Sequence, residues 1–416
     1  MNVYLRALAD GLVADGFEVD VLTRRTSTDQ RPVTTPGGAR VLFLDAGPVE
    51  PVTKEEMPGL VDEFAASAIA AGPYDLVHSH YWLSGLAGER LAAASGAPHL
   101  VTLHTLAALK NELLAEGDTP EPEARVAAER ALLENARAVI AVSQAEADAA
   151  VRLAGAEHER VCVVLPGVDT RLFRPAGEDE AGPDANIRRP TVVVAARVQP
   201  LKGQDLAIRA IAALPRGRRP QLVLAGDATA SHAAYVAGLH ELIEESGLSS
   251  ASGDEALAPV VSAHTTGDEP DAAGPDSEPA PDSAPARHAT PARDADVLFV
   301  GPLEREQLAE TLRGAAALLI PSHSETFGLV ALEAAASGIP VIAARVGGLP
   351  EAVGGNGILL DDRRAESWAA AIDTVLAEAH DAAGRARLQA RALAHAAPFR
   401  WDAVAHRIGD VYRSFL

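Results

Sequence analysis

The stretch "ALLIPSHSETFGLVALEAAASGIPVIAAR", residues 317–345, decides the fold. It opens with an apolar run of strand length and closes with another, "PVIAAR". The segment between them is rich in alanine and carries a glycine, Gly328, where a helix can begin. A strand, a helix and a second strand in this order are typical of a parallel sheet with crossover helices. We therefore predict a β-α-β unit here.

The same alternation extends over most of the chain and forms two series. The strand-like runs of the first series are "FEVDVLT", "DLVHSH", "HLVTLHT", "AVIAVS" and "RVCVVLP". Those of the second series are "TVVVAAR", "QLVLAGD", "DVLFVG", "ALLIPS" and "PVIAAR". Residues 174–190 lie between the two series and are rich in proline, glycine and acidic residues, which favours a hinge. We predict an α/β protein with two Rossmann-like domains whose parallel sheets face each other across a cleft.

The domain boundaries follow from this pattern. We predict an N-terminal domain over residues 1–175, a linker over 176–190 and a C-terminal domain over 191–396. Residues 249–294 are mostly proline, alanine, serine and acidic residues, and we expect a disordered insertion there rather than a functional lid, because so little apolar surface could offset the ordering entropy. Residues 397–416 should form a helix that packs back on the body. The apolar residues at helical spacing in that helix are Trp401, Val404, Ile408, Val411, Tyr412 and Phe415.

The first residues also have a helical pattern, with a predicted apolar face of Val3, Leu5, Leu8 and Leu12. A doubly wound domain ordinarily begins with a strand and a glycine-rich turn, and neither precedes this helix in the sequence. We interpret this as a start codon assigned too late rather than as loss of the strand. On that interpretation, restoring the upstream coding sequence should raise both activity and melting temperature.

The composition excludes several classes of function. The net charge of −22 argues against electrostatic binding to nucleic acid or to an anionic membrane surface. No run of about 18 apolar residues occurs and no export signal is evident, so we expect a cytoplasmic protein. The one cysteine, Cys162, cannot form an internal disulfide, and we expect a buried structural thiol rather than a nucleophile.

Two cations follow the strand "TVVVA" in the segment "ARVQPLKG". Ligands of open α/β sheets bind at the carboxyl ends of the strands, which is where Arg197 and Lys202 are placed. A planar guanidinium and an ammonium together suit a diphosphate. The alternative is that both side chains are simply solvated at the surface.

Two acids, Glu325 and Glu333, lie eight positions apart around the predicted helix start. We expect Ser322 or Ser324 to cap this helix, and the Gly328 backbone to approach an anion at the positive end of the helix. A carboxylate in the second turn, such as Glu333, can accept hydrogen bonds from the hydroxyls of a ribose. The alternative is an acid at the helix start and an exposed acid further along.

Taken together, "RVQPLKG" and "PSHSETFGLVALEAAASGIPVIAARVGGLPEAV" resemble the retaining family-4 glycosyltransferases of the GT-B fold. The resemblance implies that Arg197 and Lys202 neutralise the diphosphate of a nucleotide sugar. It also implies that Glu325 lies by the sugar, that Phe327 and Gly328 belong to the donor site, and that Glu333 holds the ribose.

The N-terminal half is similar to one subgroup, the D-inositol-3-phosphate glycosyltransferases of mycothiol biosynthesis. The similar segments are "MNVYLRALADGL", "DLVHSHYWLSGLAG", "VTLHTLAALKNELLAEGDTPEPEAR" and "VVLPGVDTRLFRP". By this resemblance the residues around the inositol phosphate are Asn2, Lys54, Tyr81, Thr105 and Arg125. For Lys54, a solvated lysine beside two glutamates is the alternative.

Three histidines lie at predicted strand ends. The resemblance places His104 near the donor sugar and the nascent bond, whereas a histidine there would otherwise be structural. His78 and His80 could suggest a metal pair, but we expect structural residues, one pointing inward and one outward.

The resemblance implies transfer of N-acetylglucosamine from UDP-N-acetylglucosamine to 1D-myo-inositol 3-phosphate with retention at the anomeric carbon. The predicted catalytic set is His104, Arg197, Lys202 and Glu325. The chemistry requires no cofactor, and Mg²⁺ is left undecided because no DxD-like motif is placed to hold the diphosphate. The resemblance further implies a homodimer. The alternatives are another family-4 transferase with a different donor or acceptor, and a truncated nucleotide-binding protein without turnover.

Overall fold

The structure is a computed structural model, and it describes residues 2–112, 114, 119–177, 189–229, 232–252 and 294–416. Most of the predicted linker, 178–188, and most of the predicted insertion, 253–293, lie outside the described residues. No described helix has both the length and the apolar character needed to cross a membrane.

The N-terminal half carries two sheets in its described residues. The first has the order β1-β3-β2 and the second the order β4-β5-β6-β7, with every pair in the second sheet parallel. The strands are β1 Asp20–Arg24, β2 Val33–Thr34, β3 Arg40–Leu44, β4 Val77–His80, β5 His99–Thr102, β6 Ala138–Ala141 and β7 Val161–Val163. The sequence reading missed β2 and β3. Cys162 on β7 is half-buried, not fully buried as expected, and burial raises the pKa of its thiol.

The C-terminal half carries one parallel sheet in the order β10-β11-β9-β8-β12-β13-β14. Its strands are β8 Thr191–Ala195, β9 Gln221–Ala225, β10 Ser250–Ser252, β11 Val297–Gly301, β12 Ala317–Ile320, β13 Val341–Ala344 and β14 Gly357–Leu360. Every residue of β9, β12 and β13 is buried, as expected for strands covered by helices on both faces. The β-α-β unit predicted over residues 317–345 is therefore present.

The predicted insertion begins too early at Ser249. Residues Ser250–Ser252 form an edge strand parallel to β11, and the carboxylate of Asp296 accepts hydrogen bonds from the backbone and hydroxyl of Ser249 at 2.9 and 3.0 Å. Side chains of serine and alanine carry no apolar signal, so backbone pairing at a sheet edge could not be read from this segment.

The helices that flank the sheets have the following bounds. In the N-terminal half they are α1 Asn2–Ala14, α2 Val61–Ala71, α3 Trp82–Ser95, α4 Ala107–Glu112, α5 Glu123–Asn135 and α6 Gln144–Ala154. In the C-terminal half they are α7 Gln204–Ala213, α8 Ala233–Glu245, α9 Arg305–Arg313, α10 Leu329–Ala336, α11 Leu349–Val353, α12 Ala365–Glu378, α13 Ala382–Ala396 and α14 Trp401–Arg413.

Helix α14 returns to the N-terminal half and packs against α1. Val404 and Ile408 are fully buried there, and the Tyr412 hydroxyl donates a hydrogen bond to His78 Nδ1 at 2.6 Å. The predicted apolar face of α1 is partly wrong, because Val3 is 41% exposed whereas Tyr4 is buried. The last segment of the chain thus becomes part of the core beneath the N-terminal sheets.

Candidate functional site

A cavity of about 310 Å³ opens between the two halves, at the carboxyl ends of β5, β8 and β12. Tyr4 and His104 line it from the N-terminal half, and Lys202, Glu325 and Gly328 line it from the C-terminal half. Three of the four predicted catalytic residues and part of the predicted donor site therefore share one cavity. We call it the first cavity.

A second cavity of about 230 Å³ adjoins the first. Thr105, Lys110 and Glu146 line it from the N-terminal half, and Gly347 and Glu325 line it from the C-terminal half. Glu325 and its neighbour Thr326 belong to the lining of both cavities. The loop that carries Glu325 therefore forms the partition between two spaces of ligand size.

Glu325 is held by a cation and by two glycines. The Lys202 ammonium donates to its carboxylate at 2.6 Å, with both side chains largely buried. The Gly348 N–H donates to the Glu325 carbonyl at 3.2 Å. Gly347 has a φ of 52°, and a Cβ there would overlap the same carbonyl oxygen. The segment "VGGLPEAV" therefore forms a wall that sets the position of Glu325.

The predicted serine cap of the following helix is wrong. Helix α10 begins at Leu329, and its N-cap is Gly328 with a φ of 93°, a conformation that glycine adopts without strain. Ser322 is buried, and its carbonyl accepts a hydrogen bond from Arg363 at 3.3 Å. The helix start at Gly328 lines the first cavity together with Phe327, which is otherwise buried.

Arg197 lies two residues after β8 and has an exposed side chain. Its carbonyl accepts a hydrogen bond from the Gln204 side chain at 2.9 Å, which ties the loop to the first turn of α7. Arg197 is absent from the described lining of both cavities, although its neighbour Ala196 lines the first. A role at the diphosphate therefore requires its side chain to turn toward the cavity.

Glu333 is almost fully buried and pairs with Arg305 at 3.1 Å. Burial raises the pKa of this carboxyl, and Arg305 opposes the increase. The Arg305 guanidinium also lies over the Phe173 ring, 5.0 Å from its centroid. The sequence did not predict a role for Arg305, because no spacing rule connects a cation to an acid 28 positions later in the chain.

Three histidine rings connect the first cavity to α14. His104 Nε2 and His80 Nδ1 lie 3.0 Å apart, and the His80 and His78 ring centroids are 4.2 Å apart. The expectation that His78 and His80 point in opposite directions is wrong, because residues two apart on a strand share a face. Burial lowers the pKa of His78 to about 3 and that of His104 to about 4, so both rings are neutral near pH 7.

The backbone is strained beside these histidines. His104 has a φ of 63° and Tyr81 a φ of 80°, and both follow the carboxyl end of a strand. Bulky residues rarely adopt this conformation, and where they do it is often at functional sites. Two predicted site residues therefore occupy the strained positions of the N-terminal half.

Arg125 brings the predicted acceptor residues together. It is buried on α5 and donates to the Thr105 hydroxyl and carbonyl at 2.9 and 3.2 Å. It also pairs with Glu129 at 2.6 Å and lies over the Tyr81 ring, 4.9 Å from the centroid. Three of the five predicted acceptor residues thus form one contact group.

Lys54 reaches the same group through Glu121, at 3.6 Å. Lys110 also pairs with Glu121, and the sequence reading assigned no role to either residue, although both lie in the segments that carry the resemblance. Asn2 begins α1, and its side chain lies outside what the structure describes.

Glu146 is a further buried acid that the sequence reading did not single out. Its Oε2 accepts the Val142 N–H at 2.7 Å, and the Ser143 hydroxyl caps the Glu146 N–H at 3.1 Å. Among the described residues, Oε1 of Glu146 is buried without a hydrogen-bond partner. Burial raises the pKa of Glu146 to about 7.

Known proteins that are similar to this chain are glycosyltransferases. Residues 1–167 match a family described as "Glycosyl transferase 4-like domain", and residues 271–378 match "Glycosyl transferases group 1". A D-inositol 3-phosphate glycosyltransferase from Nocardioides sp. is 37% identical over 99% of this chain and 84% of its own. One from Xylanimonas cellulosilytica is 38% identical over 99% and 91%. The chain belongs to the D-inositol 3-phosphate glycosyltransferase family.

The fold of this family member is also that of a solved glycosyltransferase. A sucrose-phosphate synthase from Thermosynechococcus elongatus superposes with a TM-score of 0.76 at 28% identity, over 99% of this chain and 92% of that one. The prediction of a glycosyltransferase with the GT-B fold is confirmed. The roles of individual residues stay predictions.

In the part of the chain that the structure describes, no group of three or more histidine, cysteine, aspartate or glutamate side chains is arranged to hold a metal ion.

Proposed function

We propose that this glycosyltransferase moves N-acetylglucosamine from UDP-N-acetylglucosamine to 1D-myo-inositol 3-phosphate, the first step of mycothiol biosynthesis. One observation carries the proposal: the Glu325 loop separates a cavity with donor-type residues from a cavity that is lined by Thr105 and Lys110, which connect it to Arg125 and, through Glu121, to Lys54. A transferase needs two adjoining sites of this kind, one for the nucleotide sugar and one for a phosphorylated acceptor.

The first cavity has the features that a departing diphosphate requires. Lys202 supplies a point charge, and the N-terminus of α10 at Gly328 supplies backbone N–H groups and the positive end of a helix dipole. In our proposal Arg197 turns in to complete this group. Charge that develops on UDP is then stabilised electrostatically, without a protein acid.

The Lys202 and Glu325 pair gives the proposal a mechanistic step. The Lys202 ammonium is held by Glu325 in the structure, so a bound diphosphate would compete for the same cation. We propose that the diphosphate takes Lys202 and that Glu325 then accepts hydrogen bonds from sugar hydroxyls. His104, neutral and at the boundary with the N-terminal half, would contact the sugar from the opposite side.

The second cavity and its rim suit a phosphate. Arg125, Lys54 and Lys110 supply charge, and Thr105 and Tyr81 lie in contact with Arg125. Phosphate groups are bound in proteins by this combination of a planar guanidinium, ammonium groups and hydroxyls. The acceptor in our proposal therefore places its phosphate here and its ring toward Glu325.

Product analysis tests the proposal directly. The protein is incubated with UDP-N-acetylglucosamine, with and without inositol 3-phosphate, and UDP release is measured together with the anomeric configuration of the product by NMR. We expect release only with the acceptor and a product of retained configuration. Release independent of the acceptor, or no release, would contradict the proposal.

The sucrose-phosphate synthase similarity favours a second candidate, a transferase whose acceptor is a sugar phosphate. By its name that enzyme forms a phosphorylated sugar, so both candidates need a phosphate site on the acceptor side. Parallel assays with inositol 3-phosphate and hexose phosphates, across several nucleotide sugars, distinguish the two. The pair with the highest kcat/KM identifies the acceptor and donor.

Two further proposals accompany the function. We propose a homodimer, which light scattering after gel filtration will show as twice the 43.1 kDa chain mass. We also propose that the chemistry requires no cofactor, with Mg²⁺ left undecided, and a comparison of activity in excess EDTA with activity in added Mg²⁺ measures the metal dependence. A monomer would overturn the first proposal, and loss of activity on removal of an organic cofactor by dialysis would overturn the second.

A further inference from the structure

Three cations converge on one carboxylate, and one of them, Lys110, lines the second cavity. Glu121 pairs with Arg125 at 2.8 Å, with Lys54 at 3.6 Å and with Lys110. The Glu121 side chain is 7% exposed and that of Arg125 is 3% exposed, whereas the two lysines reach in from solvent. A cluster of this composition can bind an anion, and in this structure the carboxylate of Glu121 contacts all three cations.

The hydrogen bonds of Arg125 show what an incoming phosphate must displace. Its Nε donates to Glu129, and its Nη2 donates to the Thr105 hydroxyl and carbonyl. Its Nη1 faces Glu121. Nη1 is therefore the nitrogen of the guanidinium with which an exogenous anion can form a strong contact. In this structure the Glu121 carboxylate occupies that position.

The backbone of Glu121 is fixed, so its side chain is the part that can move. The Asn111 side chain accepts the Glu121 N–H at 2.7 Å and donates to the Glu121 carbonyl at 3.2 Å. Asn111 follows Lys110 on α4, which places the lysine and the clamp on the same short helix. Rotation about the side-chain bonds of Glu121 would expose the cations without moving this backbone.

The charges favour an exchange of anions. Lys54, Lys110 and Arg125 face Glu121 and Glu129, which leaves a single net positive charge. With Glu121 withdrawn the net charge would be two, which matches a phosphate monoester near pH 7. Burial raises the pKa of Glu121, but the hydrogen bond from Lys110 and the charges of Arg125, Lys110 and Lys54 outweigh it and lower the pKa to about 2. The residue is an anion at all working pH values.

We propose that Glu121 is an internal counter-anion that occupies the acceptor-phosphate position and is displaced by a phosphate group but not by a neutral acceptor, with Lys110 as a further phosphate ligand. The inference rests on the acceptor part of the proposed function and adds a selectivity step to it. A neutral polyol offers no charge to replace that of Glu121, so the site rejects it. A phosphate monoester supplies that charge and releases the Glu121 side chain.

Inorganic phosphate is the probe that tests this proposal. Its Kd is measured by isothermal titration calorimetry at pH 7.5 and fixed ionic strength for the wild type, Glu121→Gln and the control Glu123→Gln. Glu123 is an exposed acid two positions away. Removal of the competing anion should tighten phosphate binding by Glu121→Gln about tenfold, while Glu123→Gln stays at the wild-type value. Equal or weaker binding by folded Glu121→Gln overturns the proposal.

A second variant keeps the test decisive if Glu121→Gln fails to fold, as judged by circular dichroism and thermal melting. Lys110→Gln leaves Glu121 in place and should weaken phosphate binding about fivefold or more, since one charged ligand is lost. Unchanged binding by folded Lys110→Gln removes Lys110 from the site and overturns the proposal. Phosphate binding needs no sugar transfer, so a wrong acceptor assignment would show as absent product with these affinity changes intact.

Discussion

At the scale of single residues, the contact between Arg305 and Glu333 determines whether an acid in an apolar setting stays ionised. Glu333 accepts hydrogen bonds most strongly as a carboxylate, in which both oxygens are acceptors, and burial favours its protonated form. Arg305 opposes this from 3.1 Å and is itself positioned over Phe173. On the proposed role of Glu333 at the ribose, we expect Arg305 to act as a positioning residue for the nucleotide rather than as a ligand of it.

Replacing Arg305 should weaken donor binding selectively. We expect Arg305→Gln to raise KM for the nucleotide sugar about tenfold with little change in kcat, because one charged hydrogen bond supports the ribose contact. The control is Glu306→Gln, an exposed neighbour on α9. A donor that lacks the ribose 2′-hydroxyl gives a sharper measurement. The rise in KM that this donor causes in the wild type should be smaller in Arg305→Gln. An equal rise in both proteins would show that Arg305 does not support the ribose contact.

Glu146 should make the stability of the protein depend on pH. Its folded pKa of about 7 lies above the ordinary 4.5, so the native state binds its proton more tightly than the unfolded chain does. Its contribution to the free energy of unfolding is complete below pH 4.5 and is lost as the pH rises through 7. The total loss is about 3 kcal/mol.

The variant Glu146→Gln lacks this titration. The difference in melting temperature between variant and wild type should therefore shift in favour of the variant from pH 5 to pH 8. Asp148→Asn on the same helix is the control, because Asp148 is exposed. A difference that is constant over this range would show that Glu146 does not titrate there.

The site residues differ in how far the sequence could predict them. Lys202 and Glu325 were predicted in one site and do form an ion pair, because each follows a strand that ends at the same edge of the sheet. Glu121, Lys110 and Arg305 were missed, since their partners come from other elements and no spacing rule connects them. Glu121 and Lys110 lie in a segment that carries the family resemblance, but the resemblance did not show which residues they contact.

At the scale of elements, the start of α6 is a contact between the halves. The Ser143 hydroxyl donates to the Thr326 carbonyl at 2.9 Å, and the Gln144 N–H donates to the Glu351 carboxylate at 3.0 and 3.1 Å. A carboxylate at a helix N-terminus is favoured by the helix dipole. The contact adjoins Glu325 in the chain, so it also fixes the partition between the cavities.

Removing this contact should slow the reaction. We expect Glu351→Ala to lower kcat about fivefold, because about 1 kcal/mol of helix-terminus interaction no longer holds the halves around the substrates. Steady-state kinetics check this, with Glu366→Ala as an exposed first-turn acid of α12 for comparison. If the two variants behaved alike, the contact would have no part in catalysis.

The elements were largely predictable, with informative exceptions. Buried parallel strands such as β9 and β12 are continuous apolar runs, and the alternation with helices located them. Strand β10 consists of serine and alanine, and β14 begins with glycine, so pairing in the sheet rather than side-chain chemistry makes them strands. The cap of α10 was wrong for a similar reason, since a glycine conformation replaced a side-chain hydrogen bond.

At the scale of the whole molecule, α14 near the end of the sequence packs against α1 near its beginning. The architecture of two Rossmann-like domains could be predicted from the repeated strand and helix alternation, and the GT-B fold from the family resemblance. The site of α14 docking could not, because amphipathic spacing shows that a face is buried and not what covers it. Burying Val404 and Ile408 contributes about 2 kcal/mol each. Tyr412 then connects α14 to the histidine rings that lead to His104.

The exposed edge of the contact between α14 and the N-terminal half carries a titratable histidine, His406. His406 and Arg413 on α14 both pair with Asp15, and Asp410 faces both. The hydrogen bond from His406 to Asp15 raises the pKa of the histidine, so its stabilising effect is complete below pH 6.5 and is lost as the pH rises through the higher folded value. His406→Ala should therefore flatten the fall in melting temperature between pH 6 and pH 9, whereas His158→Ala, at another exposed histidine, should retain it. Parallel curves for His406→Ala and wild type would exclude His406 from the docking of α14.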